Sequence, residues 1–175
     1  MTASTSSSGS ERLPAELELR ALRRPDCDSG ARLALAAFGE LCEFKGGEAI
    51  ANDMWATLMA ALRSDASGAG VSALPRQECF GFELLRSSRT VGLGILALEP
   101  MAAGQEAEAF LYLDGEERGR GSGSALLGFL EAQARDHGAA HIFFRVPPGA
   151  RSGKNLGEKN GYRARSLKMV RLDPL

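Results

Sequence analysis

Residues 111–124 read Leu-Tyr-Leu-Asp-Gly-Glu-Glu-Arg-Gly-Arg-Gly-Ser-Gly-Ser. This stretch is the part of the sequence that is most informative about the fold. The alternating apolar residues at its start predict a strand, and the leucines that follow at helical spacing predict a helix. Between them lie three glycines at alternate positions. The first turn of a helix carries unpaired N–H groups and the positive end of the dipole. Because glycine lets an anion approach that backbone closely, the stretch predicts a phosphate or pyrophosphate cradle, with a plain connecting turn as the alternative.

Two common phosphate motifs do not fit this sequence. A dinucleotide fingerprint needs a third glycine where Ser124 stands, and the next predicted strand, His141–Val146, does not end in an acidic residue for a ribose. The run Gly149–Asn155 approaches a P-loop but is one residue short and ends in asparagine. Both motifs are therefore excluded.

The stretch resembles the cofactor motif of the GNAT acyl-CoA-dependent N-acetyltransferases. That family places an apolar pair before an arginine and a run of alternate glycines, as in Leu111, Leu113, Arg118, Gly119, Gly121 and Gly123. A second match is Glu158–Tyr162, which looks like the family's late Glu-Lys-x-Gly-aromatic signature. With the order of predicted elements, the resemblance covers about Leu17 to Leu172.

The resemblance implies a co-substrate, acetyl-CoA, and an acetyl transfer to a primary amine by direct attack, without a metal. Leu111 and Leu113 would line the pantetheine arm, in a gap where their strand bulges and splays from the next. The CoA diphosphate would be held by Arg118, Gly119, Arg120, Gly121, Ser122, Gly123 and Ser124. The acceptor would be a small-molecule or peptide amine, and a homodimer remains open.

The sequence departs from the family at two positions. The usual acid, a tyrosine, is replaced by Gly157, and an asparagine that often contacts pantetheine is replaced by Ala150. We expect an N-acetyltransferase; the alternatives are a non-catalytic or weakly active acyl-CoA-binding or regulatory protein, and a nucleotide- or phosphate-binding module.

The catalytic acid and base are not identified by the sequence. Glu108 lies on the strand before the loop, where some family members place a base, but alternation turns it away from the Leu111 face. We expect Glu108 to be a solvated strand-end residue and Tyr112 to be a packing residue. The first two predicted helices and their loop, which shape the acceptor side in the family, are acidic at Glu40, Glu43, Glu48 and Asp53, which suits a cationic amine.

The whole chain is predicted to be α+β. Its element order is β-α-α-β-β-β-α-β-α-β, a mixed, mostly antiparallel twisted sheet flanked by helices. A turn is expected at Pro100–Gln105, helices at Gly121–His137 and Arg151–Lys159, and the last strand at Tyr162–Leu172. Residues 1–14 form a polar, Thr/Ser-rich segment that we expect to be flexible, and 15–175 are expected to be one domain. A length of 175 residues fits that single domain.

Composition limits the partners and the compartment. The net charge of −1 provides no field for nucleic acid or an anionic membrane, and the apolar runs are too short to span a bilayer. The three cysteines are widely spaced, without a metal-binding or disulfide pattern. We therefore expect a reduced, cytoplasmic protein.

Overall fold

The computed structural model describes residues 16–22, 27–64, 78–102 and 104–164. The predicted flexible tail, 1–14, lies outside the described residues. So does the predicted last strand from residue 165 onward; residues 162–164 are described and irregular.

Four α-helices and five strands form within the described residues, together with a short 3-10 helix at Gly115–Glu117. In chain order the strands and α-helices are β1 (Leu17–Ala21), α1 (Cys27–Cys42), α2 (Gly47–Ser64), β2 (Glu78–Arg86), β3 (Arg89–Met101), β4 (Gly104–Leu113), α3 (Ser122–Asp136), β5 (Ala139–Phe143) and α4 (Arg151–Lys159). None of the helices described is long and apolar enough to cross a membrane.

The strands form one five-stranded sheet in the order β1-β2-β3-β4-β5. The first three pairs are antiparallel, and β4–β5 is parallel, with α3 as the crossover. The predicted α+β class and mixed sheet are confirmed.

Helices cover both faces of the sheet. On one face, α3 packs through Leu126 and Leu130 against β2, β3 and β4. On the other face, α1 and α2 pack through residues such as Leu33 and Leu58 against Leu93 and neighbouring strand residues. Because both faces are covered, the central strand β3 is buried without alternation from Thr90 to Leu98.

The β3–β4 hairpin is longer than its sequence predicts. A turn is expected at Pro100–Gln105, yet the two strands pair as far as Met101 and Gly104. Proline lacks the N–H of a ladder bond, but β2 pairs with β3 only as far as Leu98. Within the described residues, which resume at Glu78, Pro100 has its strand neighbour on the β4 side.

The strand β5 is displaced from its predicted bounds of His141–Val146 and ends at Phe143, because its pairing with β4 stops there. The bulge expected in the strand before the glycine loop is also wrong: β4 pairs with β3 without a shift in register. The irregularity lies instead in the β4–β5 pairing, between Gln105 and Glu106.

Candidate active site

The sheet opens between β4 and β5. Their pairing ends with Glu108 opposite Phe143, whereas β4 continues to Leu113. On its other edge, β4 stays paired with β3 to the end. Residues 109–113 therefore present a backbone edge that no described strand covers, and this gap, the fork, leads toward the glycine loop.

The loop after β4 is shaped by two glycines in left-handed conformation. Gly119 has φ 79° and Gly121 has φ 87°. A Cβ added at either position would meet nothing within 4 Å, so the backbone angle rather than space requires glycine there. Left-handed residues in a turn are typical of backbones whose successive N–H groups form a concavity that favours anions.

The same loop leads directly into α3. Gly121 is the residue before its first turn and has no side chain to cap it. The N–H groups of Ser122, Gly123 and Ser124 have no acceptor inside the helix because they belong to the first turn. These donors and the positive end of the helix dipole lie together where the sequence predicts the anion cradle.

Close packing sets the position of this helix start. A Cβ on the buried Gly123 would come within 3.3 Å of methyl groups of Leu113 and Leu156. Asn160 Nδ2 donates a hydrogen bond to Ser124 Oγ at 3.1 Å. The cradle is therefore tied both to the end of β4 and to the end of α4.

A buried ion pair supports the loop from below. Arg86 Nε donates to both carboxylate oxygens of Glu117, at 3.0 and 3.1 Å, and Ser122 Oγ donates to Glu117 at 2.9 Å. Burial by itself would raise the pKa of Glu117, but the hydrogen bonds from Arg86 and Ser122 outweigh it and lower the pKa. Ser122 thus offers a ligand its backbone N–H, since its hydroxyl is already engaged.

The two predicted arginines of the loop differ in their surroundings. Arg118 donates to the carboxylate of Glu40 on α1, at 2.9 Å from Nη1, and to the Leu113 carbonyl at 3.2 Å. Its guanidinium also lies over the Tyr112 ring, 5.3 Å from the centroid. Arg120 is exposed and makes no ion pair with any residue that the structure describes.

At the fork, the face toward α2 carries a triad of charged residues. Arg145, two residues past the end of β5, donates from Nε to Glu108 and from Nη1 to Asp53 on α2, the latter at 2.7 Å. Its guanidinium lies 5.6 Å from the centre of the Phe110 ring. The three residues join β4, β5 and α2 at the point where the strands separate.

The expectation that Glu108 is solvated is wrong: its side chain is only 12% exposed. Burial raises the pKa of Glu108, and the hydrogen bond and charge of Arg145 oppose that rise. Asp53 and Glu99 add to the rise through their negative charges. The position on β4 was visible in the sequence, but its enclosure by α2 and Arg145 was not.

The position of the usual tyrosine acid is closed by packing. A Cβ on Gly157 would come within 2.9 Å of Phe144 Cζ. Phe144 in turn stacks edge-on against Tyr162, with 5.0 Å between ring centres. The Tyr162 hydroxyl donates to Glu131 on α3 at 2.8 Å, and burial and that carboxylate raise its pKa. Ala150, the other departure from the family, lies half-buried at the start of α4.

The acceptor side is less acidic than its composition indicates. Glu40 is paired with Arg118 and Asp53 with Arg145, so two of the four carboxylates expected to attract a cation are partly neutralised. Trp55 packs edge-on against Phe38, 6.4 Å between centroids, within the α1–α2 core. Among the residues described, no group of His, Cys, Asp or Glu could hold a metal ion.

Residues 48–162 match the family model described as "Acetyltransferase (GNAT) family". The match covers more than half of the sequence, and the chain belongs to this acetyltransferase family, which makes it an acyltransferase. The resemblance inferred from residues 111–124 is confirmed. No curated protein matches the sequence.

Solved structures with the same fold are acetyltransferases of distant sequence. A ribosomal-protein-alanine N-acetyltransferase from Brucella melitensis biovar Abortus 2308 has a TM-score of 0.62 at 17% identity, over 90% of this chain and 99% of that one. A Trypanosoma brucei acetyltransferase has a TM-score of 0.59 at 23% identity, over 90% of this chain and 99% of that one. AAC(6')-Iy, solved with a CoA-containing bisubstrate analogue, has a TM-score of 0.66 at 8% identity, over 91% of this chain and 99% of that one. At these identities the likeness establishes the fold alone.

Proposed function

We propose that this protein transfers the acetyl group of acetyl-CoA to a primary amine by direct attack. The observation that carries the proposal is the uncovered edge of β4 at residues 109–113, which leads from the fork to the cradle at the start of α3. An extended pantetheine arm fits an open strand edge, because the backbone there pairs as it would with another strand. Residues 15–175 are proposed to form the single acetyltransferase domain.

The described residues fit the anionic part of CoA. The N–H groups of Gly119, Gly121, Ser122, Gly123 and Ser124 would hold the diphosphate, and Leu111 and Leu113 would line the pantetheine arm, as the family resemblance implies. Arg118 would contribute its backbone rather than its guanidinium, since Glu40 already holds the side chain. Arg120 would supply the free positive charge at the rim.

The chemistry needs a base for the acceptor ammonium. Acetyl-CoA, when bound, supplies an acyl carbon activated as a thioester. Glu108 is the candidate base, because it lies at the fork and one of its carboxylate oxygens, Oε2, makes no hydrogen bond with a described residue. Burial raises its pKa toward the operating pH, which favours general-base catalysis.

A second candidate function is acyl-CoA binding with weak or no turnover. The specific observation in its favour is the packing of Phe144 against Gly157, which leaves no space for a phenol at that point of α4. The hydroxyl of Tyr162 is engaged by Glu131, and Tyr112 packs beneath Arg118, where burial and then the charge of Glu40 raise its pKa. In a working transferase, the leaving thiolate would then be protonated by water or would receive the proton that the acceptor ammonium has released.

The acceptor is proposed to be a cationic amine, on a small molecule or a peptide, and the compartment the cytoplasm. A homodimer stays an alternative to the monomer. The acidic groups around Glu108 support the charge of the acceptor: Asp53 and Glu99 act on it with their negative charges, and Arg145 is the described cation that opposes them.

Two measurements test the proposal. Thermal unfolding with acetyl-CoA, CoA, ATP or NAD should show a rise of several degrees with the CoA species only, since saturation at ~100 Kd adds about 2.7 kcal/mol. Thiol release from acetyl-CoA in the presence of an amine panel then reports transfer. A shift without turnover would favour the acyl-CoA-binding alternative, and no shift with CoA would contradict both.

A further inference from the structure

We propose that Arg145 is a positioning residue for the transfer, which keeps the Glu108 carboxylate ionised and turned so that its Oε2 faces the incoming amine. The inference rests on the proposed function, because it assigns a partner to the proposed base. The family motif does not include Arg145, which lies in the connection between β5 and α4, outside both sequence signatures.

The side chain of Arg145 is held in place by three neighbours at the point where β4 and β5 separate. Arg145 follows the last paired residue of β5 by two positions, so its side chain starts at the apex of the fork. It is held at two atoms, Nε by Glu108 and Nη1 by Asp53, and its planar face lies over Phe110. A guanidinium fixed by two carboxylates and an aromatic ring has few alternative orientations.

The hydrogen bond from Arg145 occupies one of the two carboxylate oxygens of Glu108. Arg145 contacts Glu108 through Nε and Oε1 only, rather than as a two-pronged pair. Oε2 has no hydrogen-bond partner among the described residues. This arrangement leaves one oxygen as an acceptor for the amine proton while the other is anchored.

Charged groups of both signs surround the Glu108 carboxylate. Glu108 is faced by Arg145 from the end of β5, by Asp53 from α2 and by Glu99 from β3. Burial and the two acids all favour its protonated form, and among the described residues Arg145 is the group that opposes them. Without the arginine, a half-buried Glu108 beside two carboxylates would hold its proton at higher pH and could not accept one from the acceptor.

The same triad connects the base to the acceptor side. Asp53 lies on α2, one of the two helices expected to shape the acceptor site, and it is 58% exposed. Arg145 is therefore the link between a residue that an acceptor can reach from solvent and the largely buried Glu108. We infer that its loss would change the acidity of Glu108 rather than the cradle for CoA.

The direct test is a titration of Glu108 in the protein without any ligand. Side-chain carboxyl ¹³C signals of labelled glutamates are followed against pH, and the Glu108 signal is assigned from its absence in Glu108→Gln. The Arg145→Gln variant should raise the pKa of Glu108, and Arg145→Lys, which keeps the charge, should restore much of the wild-type value. Arg135→Gln, an exposed arginine on α3 behind the sheet, is the matched control and should change nothing.

A second readout is the pH profile of kcat/KM for acetyl transfer. The ionised base is required, so activity is lost as pH falls; a higher pKa moves that acid limb to higher pH. We expect Arg145→Gln to lose about tenfold at neutral pH through kcat, with the KM for acetyl-CoA unchanged. Arg145→Lys should move the limb back toward the wild-type position.

The outcomes separate the inference from the proposed function. If Arg145→Gln leaves the Glu108 titration where it is in the wild type, the inference is wrong, whatever the activity. If Arg145→Gln does not fold, the neutral variant Arg145→Met replaces it in the titration: a pKa of Glu108 above the wild-type value supports the inference, and an unchanged pKa overturns it. If the titration moves as expected but no amine is acetylated, the coupling stands and the proposed function fails.

Discussion

The Phe144 ring fills the place that a side chain on Gly157 would need, with 2.9 Å between Phe144 Cζ and the Cβ position of Gly157. Real Cβ atoms do not approach other atoms so closely, so either α4 or the ring must shift to admit any substitution. The loss of the usual tyrosine is therefore built into the packing of this chain, and restoring it needs more than one substitution.

Gly157→Ala is expected to destabilise the fold by about 1–3 kcal/mol, because overpacking against Phe144 outweighs the better helix propensity of alanine. The matched control is Gly128→Ala, also inside a helix, where an added Cβ would meet nothing within 4 Å. That variant should be more stable than the wild type by roughly 0.5–1 kcal/mol. Urea unfolding measures both, and stabilisation by the two substitutions alike would contradict the packing described.

The glycine loop gives a prediction about cofactor affinity. Gly121→Ala places a Cβ on a residue at φ 87°, which costs about 1–2 kcal/mol and turns the N–H groups of the cradle. We expect acetyl-CoA to bind at least about tenfold more weakly, measured by calorimetry. Gly115→Ala, in the same connection but without a positive φ or a close neighbour, is the control and should bind normally.

The ion pair under the loop predicts a pH dependence of stability. The pKa of Glu117 is lowered in the folded protein from its ordinary 4.5, so its contribution is present above that value and is lost as pH falls through the lowered pKa. Glu117→Gln should lower the unfolding midpoint by several degrees at neutral pH and progressively less toward about pH 3. Glu116→Gln, with a side chain 74% exposed, should have little effect at any pH. A midpoint difference for Glu117→Gln that is constant with pH would rule out this ion pair as the cause.

The local parts of the site could be predicted from the sequence. The helix Arg151–Lys159 forms with the expected bounds, and the helix expected at Gly121–His137 forms at Ser122–Asp136. Both lie between glycines and carry their own periodicity, so neighbouring residues decide them. The alternate glycines of the loop likewise depend on backbone angles that few other residues adopt.

The side-chain partners could not be predicted, because they come from distant parts of the chain. Arg145 meets Asp53 across 92 residues, and Arg118 meets Glu40 across 78. The end of β5 at Phe143 also depends on pairing with β4 rather than on its own sequence, in which apolar residues continue at Phe144 and Val146. Strand propensity indicates where a strand can form, and the neighbouring strand determines where it ends.

Amide hydrogen exchange with and without acetyl-CoA is the most direct test of whether the fork and the cradle bind the cofactor, because separate peptides report on each of them. The account predicts slower exchange in peptides that cover 109–113 and 119–124 when acetyl-CoA is present, and no change in β1 or in the β2–β3 turn at Ser87. Unchanged exchange across 109–124 at saturating acetyl-CoA, or protection confined to another part of the sheet, would contradict it.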